Sequence, residues 1–162
     1  MDKQQPVYKN LDQLKIHYSV TQHPAVFTIE EMEALGITKE GDVVKNLFLR
    51  DAKGKRHFLV VLDKDKRAEL SNISQQLGST KLSFASEERL QKHLKLSKGA
   101  VTPLGVINDE SGSVEVVFDQ DLIGKEKLGV HPNDNTATLW ISYEDLVKVI
   151  EETRHKIVYI QI

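Results

Sequence analysis

The sequence predicts an α+β fold, a mixed and largely antiparallel β-sheet surrounded by helices. Three observations carry this. Two runs rich in Val, Leu and Phe, Val43 to Arg50 and His57 to Leu62, flank the turn signal Asp51-Ala-Lys-Gly54 and read as a β-hairpin. Helices with recognisable caps alternate with further short strands. Their order shows no regular βαβ rhythm, which favours a mixed sheet with helices packed against it.

Each element has a local reason. Tyr8 to His17 places Leu11 and Leu14 at helical spacing, and Ser19 to Gln22 is a short extended piece ending at His23-Pro24. Thr28-Ile-Glu-Glu31 has the form of a capping box, so a helix should run to Leu35 and stop at Gly36. After the hairpin, Leu70, Ile73 and Leu77 define a helix closed by Gly78, where a left-handed residue is needed. Ser86 caps a helix holding Leu90 and Leu94, and Pro103 can begin a helical turn over Leu104 to Asn108. Val114 to Phe118 and Thr136 to Ile141 read as strands, Ser142-Tyr-Glu-Asp145 as the start of a last helix, and Lys156 to Ile160 as a closing strand.

A chain of 162 residues fits one domain, 1–162, which would bury about 70% of the surface its unfolded form exposes. It contains no internal repeat and no linker-like stretch. The absence of cysteine excludes disulfides, thiolate metal sites and a cysteine nucleophile. Met1-Asp-Lys-Gln-Gln-Pro6 has no apolar core for a signal peptide and no apolar run is long enough to span a bilayer, so a cytoplasmic protein without a membrane partner is expected. A net charge of −2 argues against bulk electrostatic coating of nucleic acid. Local basic clusters remain: Lys53, Lys55, Arg56 and His57; Lys64, Lys66 and Arg67; Lys92, Lys95 and Lys98.

Three segments could carry chemistry. Lys45 and Asn46 lie near the head of a strand that is apolar on both faces, where an amine and an amide require something to pair with. The alternative is an exposed strand end. Period two sends these neighbours to opposite faces, so both can serve one site only if a bulge or twist intervenes. Gly99-Ala-Val-Thr-Pro103 can present backbone amides to a carbonyl oxygen that becomes an oxyanion, or it can be an ordinary connector. His131 stands in Gly129-Val-His-Pro132, ahead of Asn135-Thr-Ala-Thr138, either as a functional imidazole or as a structural hydrogen-bonder. The other five histidines are scattered without metal-ligand spacing, so no metal and no cofactor is expected. No Ser sits in a Gly-x-Ser-x-Gly elbow.

Taken together, these segments resemble the prolyl-tRNA editing family of YbaK/ProX type. The likeness runs from about Tyr8 to Tyr159 and is strongest in His23-Pro-Ala-Val-Phe-Thr28, Lys45-Asn-Leu-Phe-Leu49, Lys81-Leu-Ser-Phe84, Gly99 to Asn108 and His131 to Thr138. Lys-Asn and Asn-Thr-Ala-Thr make it similar to the free-standing deacylases that clear alanine from tRNA(Pro). The resemblance implies a pocket over the sheet and hydrolysis of the ester joining an amino acid to the terminal adenosine. It puts Lys45 at the terminal phosphate, Asn46 and His131 beside the aminoacyl group, and Gly99 with its neighbouring amides on the carbonyl. Phe27 and Thr28 would shape the pocket, with Val101, Thr102, Pro103 and Thr136 contributing to substrate binding, while Lys81 and Arg50 would meet the tRNA backbone. The implied partners are the acceptor end of a mischarged tRNA(Pro) and, as a candidate, prolyl-tRNA synthetase. Such a family works by substrate assistance, the free ribose hydroxyl orienting or activating water, which fits the lack of an evident base. Gly129-Val130 and Asn133-Asp134 depart from the family's pattern around the histidine, which bears on the choice of amino acid more than on deacylation.

Three readings therefore stand: a deacylase of alanyl-tRNA(Pro), a deacylase of another aminoacyl-tRNA such as cysteinyl-tRNA(Pro), and a non-catalytic module that holds an acceptor end or an amino acid.

Overall fold

The computed structural model describes residues 2–162; Met1 lies outside them. Eight strands form one mixed sheet: β1 (Ser19–Gln22), β2 (Asp42–Arg50), β3 (His57–Asp63), β4 (Ser83–Phe84), β5 (Glu115–Asp119), β6 (Leu128–Val130), β7 (Ala137–Ile141) and β8 (Ile157–Ile160). The order across the sheet is β1-β7-β6-β2-β3-β5-β8, with β4 pairing separately with β2. The predicted hairpin is present, with Arg50 opposite His57 and Lys45 opposite Leu62. β1 with β7, β2 with β3, β2 with β4 and β6 with β7 are antiparallel; β2 with β6, β3 with β5 and β5 with β8 are parallel.

Five α-helices pack around the sheet: α1 (Gln5–Gln13), α2 (Ile29–Ala34), α3 (Leu70–Leu77), α4 (Glu87–Leu94) and α5 (Tyr143–Glu152). Thr28 caps α2 by accepting from the Glu31 amide, and its hydroxyl donates to the Glu31 carboxylate. Ser86 and Ser142 cap α4 and α5 in the same way through the amides of Arg89 and Asp145. Helix α1 departs from expectation. It begins earlier, with Pro6 in its first turn, and ends before His17 because Lys15 turns left-handed at φ 57°. The Ile16 amide then reaches back to the Leu11 carbonyl and that of Lys15 to Asp12, a Schellman closure. A lysine at that position gives no sequence signal. Strands β4 and β6 also went unforeseen, being too short to show a period.

The central hairpin sorts its side chains by period two. Leu59 and Val61 join Phe48, Leu94, Leu104, Phe118, Leu146 and Ile150 in the main core beneath α1, α4 and α5. Phe58, Val60 and Leu62 face the other way, with Ile73 of α3, Leu82 and Val117. A third, smaller cluster joins Val26, Met32, Ile37, Val43 and Trp140 under α2. That cluster floors the site.

Candidate active site

Strand β2 pairs with β3 from Val44 to Arg50, and its other edge is shared. Asp42 and Val43 pair with β6, and Leu49 and Arg50 with β4. Between them no strand among the described residues occupies the edge. The Asp42 amide bonds Lys127 on this side and the Phe48 carbonyl accepts from Ala85, so the even-numbered residues of β2 turn their backbone groups toward it. Asn46 thus opens onto a notch in the sheet. The pairing with β3 is unbroken through Lys45 and Asn46. The missing neighbour, and not a bulge, lets both residues line one cleft.

The cleft has a volume of about 180 Å³. Its floor is apolar, from Val26, Met32, Val43 and Val130, and its rim carries Lys45, Asn46, Lys98, His131 and Thr138. The Asn46 amide oxygen is buried without a hydrogen-bond partner among the described residues. Leaving such an acceptor unpaired costs about 1–3 kcal/mol, which a donor on a bound ligand would recover. Lys45 and Lys98 carry no ion pair among the described residues.

His131 follows directly on β6, and its Nδ1 lies 3.0 Å from the Ala137 carbonyl. A carbonyl can only accept, so Nδ1 carries the proton and Nε2 is left with its lone pair. Burial lowers the His131 pKa below the usual histidine range; the Ala137 bond opposes this, nearby His23 adds to it, and Asp134 opposes it. The ring is therefore neutral at pH 7. His23 is fixed by the Pro24 carbonyl at 2.8 Å, and its Nε2 meets the Thr138 hydroxyl at 2.9 Å. This links a second imidazole to the cleft wall.

Gly99 lines the cleft, for a reason the loop motif did not show. A Cβ there would sit 2.7 Å from the Phe27 ring and 3.1 Å from the Asn135 amide, so the glycine exists to let Phe27 lie over it. Phe27 is nonetheless 72% exposed, forming a rim between solvent and the cleft. Asn135 ties this rim down by donating to the Val26 carbonyl at 2.8 Å. Within the loop the Ala100 amide is already bonded to Ser97, which leaves Gly99 and Val101 as the loop residues that face the cavity.

Of the residues expected from sequence, the fold brings Lys45, Asn46, His131, Gly99, Phe27, Thr28 and Val101 together around this cleft. Thr102 and Pro103 stand apart from it. Both are buried, and the Thr102 hydroxyl caps the following turn by accepting from the Leu104 amide. Thr136 faces Asp134 and Gln4, and is outside the lining. Arg50 lies five residues beyond Lys45, roughly 17 Å along the strand, bonded to the Asp51 and Ala52 carbonyls. Exposed Lys81 is close to that same end, since Ser83 pairs with Arg50. Sequence reasoning missed Lys98, Thr138 and the flooring residues Met32 and Val43 as parts of the site. Lys98 was legible only as one member of a charge cluster.

Residues 23–149 match the family described as the aminoacyl-tRNA editing domain. The chain is 58% identical over 151 residues to the prolyl-tRNA editing protein ProX of Acetoanaerobium sticklandii, covering 93% of this chain and 92% of that protein. It is 38% identical over 157 residues to prolyl-tRNA synthetase associated domain-containing protein 1 of Danio rerio, covering 96% and 85%. A crystal structure described as a candidate trans-editing enzyme for prolyl tRNA synthetase superposes with a TM-score of 0.74 at 21% identity, covering 100% of this chain and 98% of that one, a likeness that bears on the fold. With a family model matching most of its length and 58% identity to a relative covered over 92% of its own length, the chain belongs to the aminoacyl-tRNA editing domain family.

Proposed function

We propose that this chain, taken as a single domain over residues 1–162, is a trans-acting deacylase that hydrolyses the ester of mischarged tRNA(Pro), with alanyl-tRNA(Pro) as its preferred substrate. The observation that carries the reading is the cleft itself: an apolar floor beneath an amide oxygen and two ammonium groups that have no partner among the described residues, and a neutral imidazole. The name of the Acetoanaerobium sticklandii relative supports the same substrate class. No helix among the described residues is long and apolar enough to cross a membrane, and the reading places the protein in the cytoplasm with charged tRNA.

Hydrolysis requires water to attack the ester carbonyl carbon, the carbonyl oxygen to carry negative charge, and the ribose oxygen to leave with a proton. In this cleft the alanyl methyl rests on Val26, Met32 and Val43. The Asn46 oxygen accepts from the α-ammonium group or from the free ribose hydroxyl. His131 Nε2, the nitrogen left with a lone pair, accepts a proton from the water or the hydroxyl that orients it and returns it to the departing ribose oxygen. Lys45 offsets the phosphate charge, and the amides of Gly99 and Val101 receive the oxyanion. Each well-placed donor of that kind contributes about 10²- to 10³-fold in rate. A synthetase pocket shaped for proline cannot reject alanine well, because a missing methylene gives only about 1–3 kcal/mol of discrimination, and a separate hydrolytic site corrects the error. In this reading Arg50 and Lys81, further along the sheet, meet the tRNA backbone, and prolyl-tRNA synthetase is the candidate protein partner.

The test is release of radiolabelled alanine from alanyl-tRNA(Pro), with prolyl- and cysteinyl-tRNA(Pro) alongside. Alanine should be lost selectively, and Lys45→Ala and His131→Ala should each slow its release about 10²-fold or more while circular dichroism stays unchanged. Loss of cysteine in its place would move the substrate within the same chemistry. If no ester is cleaved by folded protein that still binds tRNA, the chain is a binding module.

A further inference from the structure

A second cavity of about 550 Å³ adjoins the cleft and shares Asn46, Lys98 and Val101 with it. Its walls are mainly apolar. Phe48 and Leu90 are buried behind it, while Phe84 stands at its edge with 63% of its surface exposed. Phe84 belongs to β4, a strand of two residues held against Leu49 and Arg50 of β2. An aromatic ring is thus mounted on a fixed strand and left facing solvent beside a concave surface. Two charged groups frame the cavity: Lys98 on the shared wall and Glu87 at the start of α4.

Resting on the deacylase reading, we propose that this second cavity binds the adenine base of the nucleotide that carries the ester, stacked on Phe84, with its ribose crossing the wall at Asn46 and Val101. In an aminoacyl ester the acyl group and the base hang from the same ribose, so a base must lie one sugar away from wherever the acyl group sits. With the acyl group in the small cleft, the adjoining cavity that shares a wall with it meets that requirement. Its chemistry agrees. Every nucleobase has a π-face that an exposed aromatic ring can cover. Lys98 lies where the nucleotide's 5′-phosphate would approach, and the Glu87 carboxylate can only accept when ionised, which suits the exocyclic amine of adenine over the carbonyl of guanine or uracil at the corresponding ring position. Asn46, lining both cavities, stands where the free ribose hydroxyl would pass.

The proposal is tested with uncharged ligands, so that it does not depend on turnover. Adenosine monophosphate and the trinucleotide CCA are titrated into the ¹⁵N-labelled, ¹³C-Phe-labelled protein, with ribose 5-phosphate and uridine monophosphate as controls. Shifts should centre on Phe84, Glu87 and Lys98 to Val101, with ribose 5-phosphate reaching only the lysine end. Phe84→Ala should weaken binding of adenosine monophosphate about tenfold and raise KM for the charged tRNA, and Phe84→Trp should restore both. Equal binding of ribose 5-phosphate and adenosine monophosphate, shifts centred elsewhere, or indifference to Phe84→Ala would each overturn the base site. Adenosine monophosphate seated on Phe84 in a protein that cleaves no ester would support the base site while sinking the deacylase reading. Ester cleavage with no response at Phe84 would do the reverse.

Discussion

At the hairpin end of β2 several polar side chains are partnered. The Asp51 carboxylate accepts from the Lys55 and Arg56 amides at 2.8 and 3.1 Å, Arg56 forms a two-pronged pair with Glu115, and Arg89 donates to the Gly54 carbonyl. Near the other end of the same strand, Lys45 has no ion pair among the described residues and the Asn46 oxygen is buried without a partner. Both regions sit on one rigid element within one sheet. The difference teaches where the molecule has spent its polar groups on itself and where it has kept them for something else. Lys64 and Lys66 belong with the first kind, since Asp65 and Asp119 take them up. The charge clusters in the sequence thus mix the two kinds: Lys64 and Lys66 are taken up, while Lys98 lines the cleft and carries no ion pair among the described residues.

The largest effect that would break this comparison is at Asn46. Asn46→Ala should lower kcat/KM for alanyl-tRNA(Pro) about 100-fold while leaving the urea midpoint within error or slightly raised, since it removes an unsatisfied acceptor. A stability loss above about 1 kcal/mol with normal turnover would return Asn46 to the structural class.

A satisfied network should behave in the opposite way. Asp109 is 6% exposed, accepts from the Val114 amide and the Ser111 hydroxyl, and meets His155 Nε2 at 2.9 Å. Burial alone would raise its pKa, but those bonds and the histidine outweigh burial and hold it below the usual carboxylate range. Asp109→Ala should cost about 3 kcal/mol in denaturant unfolding, with hydrolysis per folded molecule retained. A large loss of turnover at full stability would contradict the division.

The smallest effect is a pH dependence from the partnered end. His57 is 5% exposed, packed at a tilt against His93 at 4.0 Å between ring centres, and its pKa is lowered to about 4, chiefly by burial and then by His93 and Arg89. A histidine held neutral in the fold binds its proton more readily when unfolded. Its stabilisation is complete above the unfolded value near 6.5 and is lost as pH falls from there toward about 4. Unfolding free energy should drop by about 2–3 kcal/mol across that window, and His57→Phe should flatten the dependence. A wild-type stability that is level between those limits would show that the pair is not what it looks like.

The sequence made the hairpin, the caps at Thr28, Ser86 and Ser142, and the left-handed close at Gly78 legible, because each depends on residues within a few positions of one another. It also grouped Lys45, Asn46, Gly99 and His131, though only through resemblance to a family. What it could not show is long-range. The meeting of Phe27 with Gly99 joins positions far apart in the chain, and the burial of Thr102 follows from how the loop is packed. The strand Leu128-Gly-Val130 is too short for period two, and Gly129 is explained by the Trp140 ring, which a Cβ would approach to 2.6 Å. Lysines at left-handed positions, Lys15 and Lys95, end helices where no glycine announces it.

The gap between β6 and β4 has a further consequence for sheet-edge pairing between molecules. An open sheet edge invites a strand from another molecule, the route to aggregation and to amyloid-like growth. Here the exposed edge is only a few residues long, bounded on one side by β6 and on the other by β4, and a lysine stands within it. An intruding strand would find too few backbone partners to hold, and a charge where it needs an apolar contact. The sheet can keep backbone open to a ligand because the opening is shorter than anything that would polymerise on it.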